Sequence, residues 1–332
     1  MNILKKTIPV FLMILLIAGV FTSCGSSDKK QSDKTLQIVT TVFPAYDWTK
    51  EVLGDRAKDA ELTMLLDDGV DLHSYQPTAE DLEKIASCDL FIYVGGESDE
   101  WVEDALKSKT NKNRVEINLM DALGDSVKEE EEVEGMQAED EHEHEGEEAE
   151  SEEPEQDEHI WLSLRNAKVC TQAIADHLKK LDPSNKTAYE NNETAYKEKL
   201  TGLDKEYQDT IDHAKRKTLL FADRFPFRYL ADDYGLKYYA AFKGCSAETE
   251  ASFKTITFLA NKVDEENLPY VMTIEGSDQK IAKSVISNTK KKTQQIMTMD
   301  SMQSTTSQDV KDGKSYLSVM EENLSVLQKA LN

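Results

Sequence analysis

Four side chains in this sequence have types and positions that indicate metal chemistry. We expect all four to lie at strand ends, two in each lobe, although one of them is identified only by its place where ordered structure resumes after an acidic segment. They are His73, Asp223, Glu275 and His159. Ligands of open α/β sheets gather at the carboxyl ends of strands, so we expect these side chains to share one site. Imidazole and carboxylate together suit zinc, with manganese and iron as competing cations. Each residue taken singly has an ordinary explanation as a loop residue.

Strands and helices that would position these residues alternate along the chain in two groups. The predicted strands cover 36–42, 60–66, 89–94 and 114–119, then 218–222, 237–242, 270–274 and 294–299. Segments with helical periodicity separate them. This alternation indicates mostly parallel sheets flanked by helices. The sequence therefore predicts an α/β protein with two lobes, 36–163 and 218–332.

A long helix is predicted between the lobes, within the linking region 164–217. Apolar residues over 188–214 recur at a spacing that fits one face of a helix and not a strand. Asp182 can cap this helix, and Pro183 suits its first position. Gly202 is its weak point, since a glycine inside a helix costs about 1 kcal/mol relative to alanine. We expect a spine that joins the lobes and fixes their separation; an ordinary long surface helix is the alternative.

The N-terminal sequence predicts export. A basic start precedes a short apolar run at 8–20, which is too short to span a bilayer comfortably, and the run ends in FTSC. This ending resembles the lipobox of a bacterial lipoprotein. We therefore predict a signal peptide at 1–23, lipidation of Cys24 and a flexible tether at 24–35. The alternative is an ordinary secretory signal with cleavage nearby.

The formal net charge of −25 is concentrated in one segment, 129–158, which is rich in aspartate and glutamate and has no lysine or arginine. Such a composition cannot bury enough apolar surface to fold, so we predict a disordered, solvated loop. The rest of the chain is mildly acidic and has no basic stripe, which argues against a nucleic-acid partner. His142 and His144 within the loop could collect zinc weakly; a plain acidic tract is the alternative.

Three cysteines remain after the lipidation site, and an odd number gives no disulfide framework. Cys88 and Cys170 lie in apolar helical contexts and are predicted to be small buried residues. Cys245 lies in the sequence GCSAETE. It and Glu248 could approach a bound metal, or they could simply shape that loop.

A family resemblance is carried by four segments, DLHSYQPTAEDLEKIASCDLFIYVG, EHIWLSLRNA, LDPSNKTAYENNETAYKEKL and YLSVMEENLSVLQKAL. They resemble the metal-binding (cluster A-I) solute-binding lipoproteins of bacterial ABC importers. The resemblance extends over nearly the whole chain after the signal peptide. It implies two α/β lobes joined by a spine helix, with zinc or manganese bound in the cleft. It also implies that His73 and His159 are ligands.

The third ligand of that family is not matched directly. Zinc-binding members have a histidine, and manganese-binding members a glutamate, in the stretch that corresponds to 221–230. An ungapped match places Arg224 at the ligand position, and arginine cannot bind a cation. One inserted residue places Asp223 there, which we favour; otherwise Asp223 pairs with Arg224 or caps the next helix. At the fourth position Glu275 fits zinc-binding members, and Asp278 could fill the aspartate of manganese-binding members.

The resemblance implies a monomeric receptor, lipid-anchored on the extracytoplasmic face of the cell membrane, that delivers a divalent metal to an ABC permease. Zn²⁺ is the expected cargo, and an Mn²⁺- or Fe²⁺-preferring receptor of the same family is the alternative. We expect no enzymatic activity, because neither an H-E-x-x-H motif nor a nucleophile elbow occurs. Two alternatives from other classes are a zinc-dependent hydrolase and a surface adhesin that acts through its acidic loop.

Overall fold

The computed structural model describes residues 35–137, 155–246 and 250–332. Two predicted segments fall outside these ranges, the signal peptide 1–23 and all of the tether except its last residue. Four single residues do as well: Cys24, His142, His144 and Glu248. Within the described ranges, no helix is both long enough and apolar enough to cross a membrane.

The first lobe is built on a four-stranded sheet. Its strands are β1 (Leu36–Thr40), β2 (Ala60–Met64), β3 (Leu90–Tyr93) and β4 (Val115–Asn118). They lie in the order β2-β1-β3-β4, and every pairing is parallel. The chain changes direction across the sheet between β1 and β3, and in parallel sheets ligands bind beyond the carboxyl ends of strands at such a point.

The second lobe repeats this topology. Its strands are β5 (Thr218–Arg224), β6 (Lys237–Phe242), β7 (Tyr270–Ile274) and β8 (Gln295–Met299). They lie in the order β6-β5-β7-β8, again all parallel. The pairing of β5 with β6 shifts register between Phe221 and Arg224. The predicted α/β fold of two mostly parallel sheets is confirmed, and each predicted strand lies within two residues of its observed bounds.

Helices cover the sheets and connect the strands. They are α1 (Phe43–Leu53), α2 (Ala79–Ser87), α3 (Trp101–Lys107), α4 (Leu119–Leu123), α5 (Leu164–Leu181), α6 (Lys186–Asp212), α7 (Arg228–Tyr234), α8 (Phe253–Glu265), α9 (Lys280–Asn288), α10 (Ser307–Lys311) and α11 (Tyr316–Ala330). Thr78 caps α2 in a capping box with Asp81. The sequence analysis missed α4 and α10, because five residues carry too little periodicity to predict a helix.

The predicted spine is α6, a continuous helix of 27 residues that includes Gly202. A 3₁₀ turn, Pro183–Asn185, leads into it. Asp182 makes no side-chain cap to the backbone of this turn; its carboxylate instead accepts hydrogen bonds from the side chains of Ser184, Asn185 and Tyr189. Thus the cap was predicted at the right place but with the wrong partners.

One face of α6 is buried along its length and packs against both lobes. The buried residues are Tyr189, Tyr196, Leu200, Leu203, Tyr207 and Ile211. The helix contacts α1 of the first lobe, α5 of the linking region, and α7 and α11 of the second lobe. One hydrophobic core, which includes Ile38 and Phe221 of the two sheets, runs beneath this helix. The lobes are therefore joined by packed apolar surface as well as by a covalent link.

The prediction that all of 129–158 is a solvated loop is wrong at its ends. Glu129 and Gln156 form an antiparallel bridge, which holds the two ends together. The guanidinium of Arg228 lies 2.7 Å from the carboxylate of Glu131. Acidic side chains at the ends of the segment thus find cationic partners on the second lobe, which composition alone does not reveal.

Candidate metal centre

His73 and His159 lie side by side, with 3.2 Å between their Nε2 atoms. His73 belongs to the 3₁₀ turn Leu72–Ser74, in which Asp71 accepts a hydrogen bond from the backbone N–H of His73. His159 precedes the 3₁₀ turn Ile160–Leu162 and follows no strand, contrary to our expectation of a shared strand-end location. Two nitrogens at about 2.0–2.1 Å from one tetrahedral zinc ion are about 3.3 Å apart. The observed pair has the spacing of two ligands of a single cation.

The other ring nitrogens have partners that orient the imidazoles. His159 Nδ1 lies 2.9 Å from Asp157 Oδ1, and His73 Nδ1 lies 2.7 Å from Ser98 Oγ. An ionised carboxylate only accepts hydrogen bonds, so the Nδ1 atom of His159 carries the proton and its Nε2 atom keeps a lone pair. This is the tautomer in which a histidine binds a metal through Nε2.

Gln303 faces the same two nitrogens from the second lobe. Its Nε2 lies 3.0 Å from His73 Nε2 and 2.6 Å from His159 Nε2, so the amide can donate a hydrogen bond to each lone pair. The amide oxygen accepts a hydrogen bond from Ser301 Oγ at 3.0 Å. The sequence analysis missed Gln303, although its position after β8 was a signal of the kind used for the other candidates.

Glu275 follows β7, as predicted, and fixes the loop that carries Gln303. Its Oε2 accepts a hydrogen bond from the backbone of Ser301 at 2.7 Å. Its Oε1 accepts from Ser301 Oγ at 2.6 Å and from the backbone of Gln303 at 3.2 Å. Burial, together with the charge of Asp300, raises the pKa of Glu275. The carboxylate lies on the second-lobe side of the site, and both of its oxygens accept hydrogen bonds from this loop.

Asp223 is the last but one residue of β5. Its carboxylate accepts hydrogen bonds from the backbone of Arg224 at 3.0 Å and of Ile274 at 3.4 Å. Asp223 and Glu275 line a cavity of about 470 Å³ together with His73. Both predicted carboxylates therefore face the cleft.

Arg224 and Asp278 are the other second-lobe residues that the sequence analysis considered. Arg224 extends across the cleft, where its Nη2 lies 2.6 Å from Asp71 Oδ2, so Asp71 and not Asp223 is its ionic partner. Asp278 also lines the cavity, but its carboxylate forms an ion pair with Lys280.

Cys245 is the third potential metal ligand that lies close to the two histidines. Within the described ranges, the residues whose ligand atoms all lie within 4.8 Å of one another are His73, His159 and Cys245. The backbone N–H of Cys245 donates a hydrogen bond to Glu130 Oε1 at 2.9 Å. The prediction left open whether Cys245 approaches the metal or shapes the loop, and its thiol lies at the histidine pair.

The surroundings of the pair are acidic. Asp157 and Glu158 are 2% and 1% exposed, and burial raises the pKa of Glu158 to about 7. Burial alone would lower the pKa of His159, but the charges of Asp157, Glu158 and Glu130 outweigh it and raise that pKa. Burial, together with the charge that His159 can carry, lowers the pKa of His73. Two imidazoles in a negative environment are suited to a divalent cation.

Comparisons with known proteins agree with this geometry. A family model described as "Zinc-uptake complex component A periplasmic" (ZnuA) matches residues 38–330. The zinc-binding lipoprotein AdcA of Streptococcus pneumoniae serotype 4 is 33% identical over 322 residues, which are 96% of this chain and 60% of that protein. The chain thus spans about three fifths of the length of this relative.

Two further matches extend along nearly their whole length. The high-affinity zinc uptake system protein ZnuA of Bacillus subtilis is 32% identical over 326 residues, which are 96% of this chain and 97% of that protein. The crystal structure of the Zn(II)-bound ZnuA-like domain of S. pneumoniae AdcA superposes with a TM-score of 0.68 at 31% identity, covering 90% of this chain and 99% of that domain. From the family match over 38–330, this chain belongs to the ZnuA family of zinc-uptake complex components.

Proposed function

We propose that this protein is an extracytoplasmic receptor that captures Zn²⁺ between its lobes and delivers it to an ABC permease. The observation that carries the proposal is the 3.2 Å separation of the Nε2 atoms of His73 and His159, with Asp157 holding the proton of His159 on the opposite nitrogen. The family is one of uptake components and not of enzymes, and the names of its relatives refer to zinc. Both observations argue against the hydrolase alternative.

Zinc is bound as cargo, through the two imidazole Nε2 atoms. Gln303 gives up its hydrogen bonds to these nitrogens when the ion enters, and its loop stays attached to Glu275 Oε2 through the backbone N–H of Ser301. Glu275 and Asp223 supply negative charge from the second lobe, and Glu275 is the carboxylate that can turn towards the ion. Two imidazoles favour Zn²⁺ over Mn²⁺, which prefers oxygen ligands.

Release of the ion depends on local movement of the loops that carry the ligands. The lobes share one hydrophobic core and are joined along α6, so a wide hinge motion would have to expose packed apolar surface. The loop from Asp300 to Gln303 is attached by hydrogen bonds that can exchange one at a time. This loop is therefore the part that we expect to move when the permease accepts the metal.

We also infer that the protein is a monomer attached to the membrane by a lipid on Cys24. The apolar run at 8–20 and the FTSC sequence that follows it support the lipid anchor. The printed name of the pneumococcal relative, a zinc-binding lipoprotein, supports it as well. The binding domain would then face the extracytoplasmic side of the cell membrane.

The test of the proposal is zinc titration of the purified protein in competition with a chelator. We expect the wild type to bind one zinc ion per chain tightly, and His73→Ala and His159→Ala to lose that binding. His177→Ala is the matched control, because His177 lies on α5 and its Nδ1 atom bonds to the carbonyl oxygen of Ala173. Tight binding that persists in both His73→Ala and His159→Ala would exclude this site.

Deletion of 138–154 separates the receptor from the adhesin alternative. The histidines that could collect zinc weakly, His142 and His144, lie within this segment. A receptor keeps its tight cleft site after the deletion and loses at most weak additional binding. An adhesin that acts through the acidic loop would lose its attachment while its zinc affinity stayed unchanged.

A further inference from the structure

We propose that the thiolate of Cys245 is a direct ligand of the bound metal and is the third protein donor of the site. The inference rests on the proposed function, because it adds a ligand to the same centre. Its basis is the position of the Cys245 Sγ atom, which forms a group with the two histidines in which all ligand atoms lie within 4.8 Å of one another. Thiolate and imidazole are both preferred ligands of zinc.

The backbone holds Cys245 against the histidine pair. A Cβ atom added to Gly244 would lie 3.1 Å from both Cε1 and Nδ1 of His159, so the chain passes directly over that imidazole. The N–H of Cys245 is fixed to the carboxylate of Glu130, and Lys243 lies 3.3 Å from the other oxygen of this carboxylate. Glycine before the cysteine therefore permits a close approach that a larger residue would obstruct.

Arg224 explains why a cysteine can replace the expected third ligand. In the ungapped match it stands at the third-ligand position, and its Nη1 atom donates a hydrogen bond to the carbonyl oxygen of Ser246 at 3.4 Å. Thus Arg224 positions the residue next to Cys245. Asp223, the neighbouring candidate, is engaged by backbone N–H groups on both oxygens. The thiol has the more direct approach to the histidines.

The distances agree with tetrahedral coordination after a small side-chain movement. A thiolate at about 2.3 Å and an imidazole nitrogen at about 2.0–2.1 Å from one zinc ion are about 3.6 Å apart. Because the three ligand atoms lie within 4.8 Å of one another, the thiol needs a shift of at most about 1 Å, which rotation of the Cys245 side chain can supply. On binding, the thiol loses its proton to solvent and a sulfur–metal bond forms. The fourth position then falls to Glu275 or to water.

The test uses Co²⁺ as a spectroscopic probe of the purified protein. A cobalt–thiolate bond produces a charge-transfer band in the near ultraviolet, which imidazole and carboxylate ligands do not produce. We expect this band in the wild type and in Cys88→Ser, and its absence in Cys245→Ser. Cys88 is the matched control, because it lies in the core of the first lobe. Zn²⁺ affinity should fall about 100-fold or more in Cys245→Ser and remain unchanged in Cys88→Ser.

Alkylation of the wild type gives a measurement that does not depend on a variant that folds. Bound Zn²⁺ should protect Cys245 from iodoacetamide, with modification located by peptide mass. If the wild type binds one Co²⁺ per chain without the band, and Zn²⁺ gives no protection, Cys245 is not a ligand although the receptor function stands. If the wild type binds neither metal tightly, the receptor function itself is wrong.

Discussion

Asp71 and Arg224 form an ion pair across the cleft, with 2.6 Å between Oδ2 and Nη2. The other oxygen of Asp71 accepts the backbone N–H of His73 at 3.1 Å. Burial alone would raise the pKa of Asp71, but Arg224 and the His73 contacts outweigh it and lower that pKa. An ionised carboxylate thus connects a candidate metal ligand of the first lobe to an arginine of the second.

We predict that this pair contributes measurable coupling to stability. The side chains of Asp71 and Arg224 are 23% and 19% exposed, so solvent screens them only in part. A double-mutant cycle with Asp71→Asn and Arg224→Met should give a coupling free energy of about 0.5–2 kcal/mol in urea unfolding. The exposed pair Asp55–Lys58 is the control and should show no measurable coupling. If Asp71–Arg224 shows no more coupling than the control pair, the prediction is wrong.

Asp157 should determine zinc affinity without touching the metal. Its carboxylate accepts the Nδ1 proton of His159 at 2.9 Å, and this contact keeps Nε2 free for the ion. Replacement of such a partner typically lowers metal affinity about 10–100-fold. We therefore expect Asp157→Asn to weaken zinc binding by that factor with unchanged stoichiometry, as measured by chelator competition.

The control for this prediction is Asp125→Asn, an exposed aspartate in a 3₁₀ turn of the first lobe. Its zinc affinity should equal that of the wild type. If Asp157→Asn also binds with wild-type affinity, the carboxylate does not select the tautomer of His159.

Asp47 should make the stability of the metal-free protein depend on pH. It accepts the backbone N–H of Tyr316 at 2.9 Å, and burial raises its pKa from 3.8 to about 6. The folded state therefore holds a proton that the unfolded state releases between these pH values, so the free energy of unfolding falls as pH rises from about 4 to about 6. The expected loss is about 2–3 kcal/mol, at about 1.4 kcal/mol per pKa unit.

Comparison with Asp47→Asn isolates this effect from other titrating groups. The asparagine side chain still accepts the Tyr316 hydrogen bond but carries no charge. Urea unfolding at pH 4 to 8, with a chelator present, should show the variant gaining stability over the wild type as pH rises. A difference between the two proteins that is constant across this range would show that Asp47 does not titrate there.

The fold was predictable because its determinants are local. Short apolar runs such as 270–274 indicate buried strands, and the periodicity of α6 continues for many turns. The two sheets follow from alternation of these elements. The ends of the acidic segment were mispredicted, since their order comes from Arg228 and other partners that are distant in sequence.

The site was predictable only in part, because side chains from irregular loops meet there. His73 and His159 have a residue type and a sequence context that indicate a ligand. Gln303 and Cys245 reach the same point through loops whose course no periodic pattern encodes. Asp223 is harder still, since the register shift in β5 decides which side chain faces the cleft.

The spine helix allows a prediction that separates local release of zinc from hinge motion. Gly202 lies inside α6, and a Cβ atom added there meets nothing within 4 Å. Gly202→Ala should therefore raise the free energy of unfolding by about 0.5–1 kcal/mol. Gly54→Ala is the opposite control, because Gly54 has a φ of 55° and an added Cβ would collide with the side chain of Asn192.

Zinc release from Gly202→Ala tests the mechanism. If release depends on local loops, Gly202→Ala leaves the rate of zinc transfer to a chelator unchanged, because the stiffened turn lies far from Gln303 in sequence and outside the cleft loops. If the lobes instead opened by bending of α6 at Gly202, replacement of this glycine by alanine would slow zinc release. A stabilised protein with slower zinc release would therefore contradict local movement and support a hinge in the spine.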